Sequence, residues 1–179
     1  AALYNWLLGI AHQGMTENFR MNRLLMWIQP ENYSSGIGYQ TVQGLYAIGS
    51  GGLFGKGLGK SLQKLGFIPE SQNDMIFSII CEELGLFGAM CIILVFALML
   101  WRIIHIAQNA PDLFGTMLAA GVFAHVAVQV VLNIAVVTNF IPNTGVSLPF
   151  ISYGGTASFF LLLEMGIVLN ISSKIRLER

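Results

Sequence analysis

Three long apolar runs set the terms for this chain. Leu84 to Trp101 and Leu113 to Ile141 carry no charged residue, and Gly155 to Ile171 is interrupted once, by Glu164. A bilayer hydrocarbon core of about 30 Å asks for about 20 helical residues, within a range of about 17–25. Period-2 alternation is absent from all three runs, so closed barrel strands are not the solution. Helices are, because each satisfies its own backbone within the segment. Composition agrees: 55% of residues are hydrophobic and 10% charged, against roughly 25% charged in soluble domains. The expected fold class is all-α, a polytopic membrane protein with three full transmembrane helices.

The N-terminal "AALYNWLLGIAHQ" lacks a basic n-region and a cleavage site, so it is not a signal peptide. It reads as the end of a truncated transmembrane helix over residues 1–12. A long loop over 13–73 follows, then helices over 74–106, 113–141 and 155–172, a re-entrant-type loop over 142–154, and a tail over 173–179. Within the long loop, "YQTVQGLYAI" puts Val42, Leu45 and Ile48 at helical spacing, which predicts a short amphipathic helix on the membrane surface. The glycines after it would break that helix, and "KSLQKLGF" resumes a turn or two before Pro69. A connection this long between spanning helices is either functional or disordered, and its glycines, aromatics and apolar residues argue against disorder. "IPNTGVSLPFISYGG" brackets an apolar centre with prolines and glycines, a pattern tolerated at membrane depth where protein or a water-filled cavity covers it.

Charge narrows function. Net charge is zero, which removes bulk electrostatic attraction to nucleic acid. Five of the nine basic residues, Arg20, Arg23, Lys56, Lys60 and Lys64, fall in the long loop, whereas Lys174, Arg176 and Arg179 mark the tail. With three crossings these two basic regions lie on opposite sides, so the positive-inside rule does not orient the chain cleanly. Cys81 and Cys91 sit in apolar sequence without metal-ligand spacing and read as packing residues.

The stretch "GGLFGKGLGKS" ends like a phosphate-binding loop. That motif, G-x-x-x-x-G-K-[ST], would need glycine at position 54, and the residue is Phe54. A nucleotide site is therefore not expected. What remains is a glycine segment able to bend over a substrate, with Lys56, Lys60 and Lys64 on one stripe if helical. Such a stripe either faces lipid headgroups or cradles a specific phosphorylated lipid. Further along, Ser71-x-x-Asp74 before an apolar run has the form of a capping box. Glu82 and Glu83 fall about two turns, roughly 12 Å, into the helix that follows, where ionisable groups face a bundle interior or cavity. His125, Gln129, Asn133 and Glu164 are further intramembrane polar residues, and interhelical hydrogen bonding is their default role.

"GYQTVQGLYAIGSGGLFGKGLGKSLQKLGFIPESQNDMIFSIICEELGLFGA", taken with "IPNTGVSLPFISYGGTASF", resembles the SEDS family of FtsW, RodA and SpoVE proteins, nearest the FtsW/SpoVE branch. The resemblance implies the C-terminal half of a ten-helix fold in the bacterial plasma membrane, with the long loop extracellular and the tail cytoplasmic. It implies polymerisation of lipid II into peptidoglycan glycan strands, beside a class B penicillin-binding protein acting as transpeptidase, in cell division or sporulation. The family's key acid lies in a P-E-x-x-x-D segment, here "PESQND", which makes Asp74 the candidate catalytic base. Lys56, Lys60, Lys64, Arg20 and Arg23 are candidates to bind the substrate's pyrophosphate. Gln40, Gln43, Glu70 and Ser152 are further substrate-binding candidates, the glutamines for sugar hydroxyls or for capping loop turns. Glu82 and Glu83, with Pro142, Thr144, Gly145, Gly154 and Gly155, read as structural or cavity-lining residues. No cofactor is implied with certainty, though a divalent cation is compatible with a pyrophosphate leaving group. Two other functions fit the same residues: a lipid II flippase, and a non-catalytic membrane scaffold for the transpeptidase. With about half of the family's helices present, the chain alone is expected to be inactive.

Overall fold

The structure, a computed structural model, describes residues 19–28, 30, 37–61 and 73–175. The described residues are all-α, with no strand: α1 (Phe19–Ile28), α2 (Ile37–Gly51), α3 (Ile76–Gln108), α4 (Leu113–Val137) and α5 (Gly155–Ser173). The helix end expected at 1–12, most of the turns expected over 60–67, and Lys64, Glu70 and Ser71 lie outside the described residues. Helices α3, α4 and α5 are each long and apolar enough to cross a membrane. Helix α3 packs against α2 and α4, and α5 packs mainly on α4. Ile103, Val126, Val137 and Val168 fill the seams between them. Leu86, Phe87, Met90, Leu94 and Leu98 of α3 point outward, as an apolar solvent allows.

Helix α3 is 33 residues long, about 50 Å at ~1.5 Å per residue, and so exceeds a hydrocarbon core of about 30 Å. The charge-free stretch Leu84–Trp101 matches the core, which leaves the first turns of α3 projecting beyond it. Glu82 and Glu83 stand in the first turns of α3, and Glu82 is fully buried, as expected of an ionisable group that faces a bundle interior.

Just beyond these turns α3 breaks. Gly85 has φ 69° and ψ −170°, a conformation essentially confined to glycine. Residues 52–57 enter the gap. Lys56 N–H donates to the Glu82 carbonyl (2.9 Å) and Gly57 N–H to that of Glu83 (3.0 Å). On the other side, the Gly52 and Leu53 carbonyls accept from Leu86 N–H (2.9 Å) and Phe87 N–H (3.1 Å). The loop thus satisfies the four backbone groups that the break exposes, groups that are costly when left unpaired. Contact is backbone to backbone, so side chains are excluded: a Cβ on Gly55 would strike the Glu83 carbonyl, and one on Gly85 the Gly55 amide. The expected loop bending over a substrate is instead a wedge in a helix. Because residues 53–60 are not helical, Lys56 and Lys60 form no helical stripe.

Helix α2 meets α3 through its small residues. Its most buried positions are Thr41, Gly44, Ala47 and Gly51, at helical spacing, while Val42, Leu45 and Ile48 are only half-buried. Small residues let two backbones approach closely, as in membrane helix pairs. A Cβ on Gly44 would lie 3.5 Å from the Met75 sulfur, and one on Gly51 would overlap the Cys81 carbonyl. Through these small residues the helix packs on α3.

At its start, α4 is capped by Asp112, whose side chain accepts from Gly115 N–H. At its end, Asn139 adopts a left-handed conformation, φ 57°, and stops the helix as a C-terminal cap residue does. The indole N–H of Trp27 donates to the Asn139 carbonyl at 3.0 Å, fastening α1 there. The chain then turns inward, burying Leu148 and Pro149. Leu148 N–H donates to Ser152 Oγ at 2.7 Å and Ser152 N–H to the Leu148 carbonyl at 3.0 Å, closing a turn that holds Phe150 at φ 63°. Of the two cysteines, Cys81 is buried as expected of a packing residue, and Cys91 is exposed; both are free thiols.

Candidate functional site

Asp74 stands in a turn, residues 73–75, just before α3 begins. The N-cap position is Met75, which makes no side-chain cap bond. The capping-box expectation is thus corrected: Asp74 precedes the helix instead of occupying its first turn. Two side chains from two different helices hold it. Gln40 Nε2, from α2, donates to Asp74 Oδ1 at 3.0 Å. Asn133 Nδ2, from α4, donates to the Asp74 main-chain carbonyl at 2.8 Å and equally to the Val146 carbonyl at 2.8 Å. Gln40, expected to meet sugar hydroxyls or cap a turn, is a partner of the acid itself.

Beside this turn lies a cleft of about 390 Å³, lined by Ile76, Ser152, Tyr153, Gly154, Gly155 and Ser158 among others. It joins the start of α3 to the start of α5, two residues beyond Asp74 in the chain. Gly154 and Gly155 open α5, and Ser152 meets the cleft from the closed turn described above. Gly145, at φ 70°, donates its N–H to Asn143 Oδ1 at 2.9 Å. Pro142 is half-buried and Thr144 exposed beside it.

The basic residues divide. Arg20 belongs to α1. Arg23, also on α1, reaches the Asn143 carbonyl at 3.5 Å and so touches the 142–154 loop. Lys60 is exposed. Lys56 is engaged elsewhere: its ammonium contacts Glu82 Oε1 at 2.7 Å and donates to Ser50 Oγ at 2.8 Å. Glu82 is fully buried, and its other oxygen accepts from Ser61 Oγ at 2.5 Å. Buried carboxylates persist when paired and hydrogen-bonded. Lys56, Glu82, Ser50 and Ser61 therefore form the polar lining of the wedge in α3. Glu83 is half-buried, with Oε1 shut away and unpartnered. Gln43 lies one turn beyond Gln40, half-buried. Among the described residues no three of His, Cys, Asp and Glu gather as metal ligands.

Gln129 and Asn133, both expected to bond between helices, have different partners. Gln129 Nε2 lies 3.0 Å from His125 Nε2, and His125 Nδ1 lies 2.9 Å from Glu164 Oε2 on α5. Only Asn133 reaches the site. Its part there, like that of Lys56 in the wedge, had no local signal beyond a polar residue in an apolar run.

The fold and site define a multi-pass helical membrane protein with a held carboxylate just before α3 and a cleft between the starts of α3 and α5. The cell cycle protein family of FtsW, RodA and SpoVE matches residues 2–177, and the chain belongs to that family. It is 48% identical over 154 residues to stage V sporulation protein E of Bacillus subtilis, covering 86% of this chain and 42% of that protein. It is 44% identical over 159 residues to the probable peptidoglycan glycosyltransferase FtsW of Trichlorobacter lovleyi, covering 89% of this chain and 42% of that one. The chain thus spans less than half the length of these relatives. Two solved structures share its fold at 22% identity. One, described as "Structural coordination of polymerization and crosslinking by a peptidoglycan synthase complex", has a TM-score of 0.67 over 97% of this chain and 50% of its own. The other is a point mutant of the Thermus thermophilus rod shape determining protein RodA, with a TM-score of 0.57 over 98% of this chain and 65% of its own.

Proposed function

We propose that this family member polymerises lipid II into glycan strands, with Asp74 as general base. The acceptor sugar's 4-hydroxyl attacks the donor's anomeric carbon, Asp74 takes the hydroxyl proton, and undecaprenyl pyrophosphate leaves with inversion at that carbon. The carrying observation is the hold on Asp74: Gln40 fixes its carboxylate and Asn133 its main chain, beside a cleft two residues away. A positioned base of this kind contributes typically ~10²–10⁴-fold. The charge developing on the leaving pyrophosphate calls for cations, for which Lys60, Arg20 and Arg23 are candidates, with a divalent cation compatible. Lys56 is less suited, because Glu82 already engages it. Membership of a family with relatives named peptidoglycan glycosyltransferase supports the reaction class.

In this reading Asp74 and the cleft face the extracellular side of the bacterial plasma membrane, the tail is cytoplasmic, and a class B penicillin-binding protein cross-links the product. The test is Asp74→Asn in the full-length protein, assayed with labelled lipid II. Polymerisation is expected to fall by about 10²-fold or more. Retained polymerisation would remove the base assignment. Retained lipid II binding or translocation without any polymerisation, in the unmutated protein, would instead favour a flippase or a scaffold.

A further inference from the structure

We infer that Asn133 is a positioning residue for Asp74, acting through the main chain of the turn that carries the acid. The inference rests on the reading of Asp74 as the base. Asn133 is fully buried, near the end of α4. Both groups facing its amide are carbonyl oxygens, so the NH₂ end must point at them. One belongs to Asp74 and the other to Val146, each at 2.8 Å. The amide oxygen, by contrast, is buried without a partner. The side chain is therefore turned wholly toward two stretches of irregular backbone, one that carries the acid and one that runs on to the cleft residues Ser152–Gly155.

Neither stretch has a regular ladder of its own at that point. Asp74 sits in a turn and Val146 in extended loop, so α4 is the rigid element from which both are measured. One amide sets how far the acid's turn stands from the loop that continues to Ser152 and Gly155. Gln40 supplies the complementary restraint on the carboxylate. A displacement of about 1 Å at a reacting group can cost about 10²-fold in rate, and losing Asn133 unties the Asp74 turn from the loop at Val146.

The experiment compares Asn133→Ala, Asn133→Ser, Asp74→Asn and the control Val126→Ala in the full-length protein, measuring kcat and KM for labelled lipid II. Val126 is fully buried on the same helix and takes no part in the site. Asn133→Ala is expected to lower kcat by about 10²-fold with KM changed less than about threefold. Asn133→Ser, which keeps one donor, should recover part of that rate, and Val126→Ala should keep full kcat. Added to Asp74→Asn, the Asn133→Ala change should leave the residual rate where it was. An active Asp74→Asn variant would overturn the base reading and this inference with it. An inactive Asp74→Asn beside an Asn133→Ala variant of normal kcat would overturn the inference alone. So would further loss in the double variant, or a Val126→Ala variant as impaired as Asn133→Ala. Should Asn133→Ala not accumulate, Asn133→Ser decides: normal kcat refutes positioning, and reduced kcat at unchanged KM supports it.

Discussion

Gly85 shows how much one residue can carry without a side chain. Its positive φ and its contact with Gly55 both exclude a Cβ. Gly85→Ala is expected to destabilise the protein by about 1–3 kcal/mol from backbone strain alone, with the collision added. Gly59 also has a positive φ, 74°, but open space around it, so Gly59→Ala should cost only about 1–2 kcal/mol. Thermal unfolding in detergent compares them, and equal midpoints would refute the close approach. From sequence, Gly59 was only part of a segment able to bend, and Gly85 was not singled out at all. The difference lies in where each backbone ends up, which composition does not encode. Asp74 was legible only through its motif, because a turn acid before an apolar run reads locally as a cap. Gln40 was legible as a polar residue worth naming, though its partner lies 34 residues away, beyond any helical spacing.

At the scale of elements, the wedge in α3 has a polar seal that can be taken apart. Lys56 is 33% exposed and Glu82 0%. Lys56→Met should destabilise by about 1–3 kcal/mol, below the ~3–5 kcal/mol of a fully buried pair because water reaches the ammonium. Lys56→Met with Glu82→Gln should lose less than the two single changes summed, since the double variant strands no charge. A double-mutant cycle on unfolding free energies measures the coupling, and strict additivity would show that the pair is independent. Helix α2 teaches a related point. Hydrophobicity drew attention to Val42, Leu45 and Ile48 as its apolar face, whereas the small Gly44 and Ala47 make the packing on α3. In membrane proteins backbone approach competes with apolar burial, since lipid already solvates large apolar side chains.

Across the whole molecule, the three spans were readable because a bilayer demands length and apolarity, and both are visible in a single sequence. Sidedness was not, because basic residues mark both the long loop and the tail. Cysteine accessibility resolves it. With Cys91 replaced by Ala, Tyr153→Cys should react with an impermeant maleimide added to intact cells, and Ser173→Cys only after permeabilisation; the reverse pattern would invert the proposed topology. Midway along α4 and α5, His125 and Glu164 are partly exposed, 46% and 26%. Charged groups at such depth are shielded by other helices or by water. Replacing either alone with Leu is expected to lower stability by about 0.6–1.7 kcal/mol in micelles, and replacing both should recover part of it. A double variant no better than the worse single one would show that the pair does not act together.

The gap in α3 also dictates an order of assembly. Residues 86–108, about 34 Å of helix, can cross lipid unaided. Residues 76–84 do not join them as one straight rod, because Gly85 breaks the helix and amides and carbonyls on either side of it pair with residues 52–57. Those residues are synthesised earlier, so they must wait undocked while the span they complete is still being made. Biogenesis therefore has two stages, insertion of the apolar shaft and then closure of its upper joint. Asp74, at the free end of α3, is set in place only when α2 and α4 have also docked, since Gln40 and Asn133 hold it.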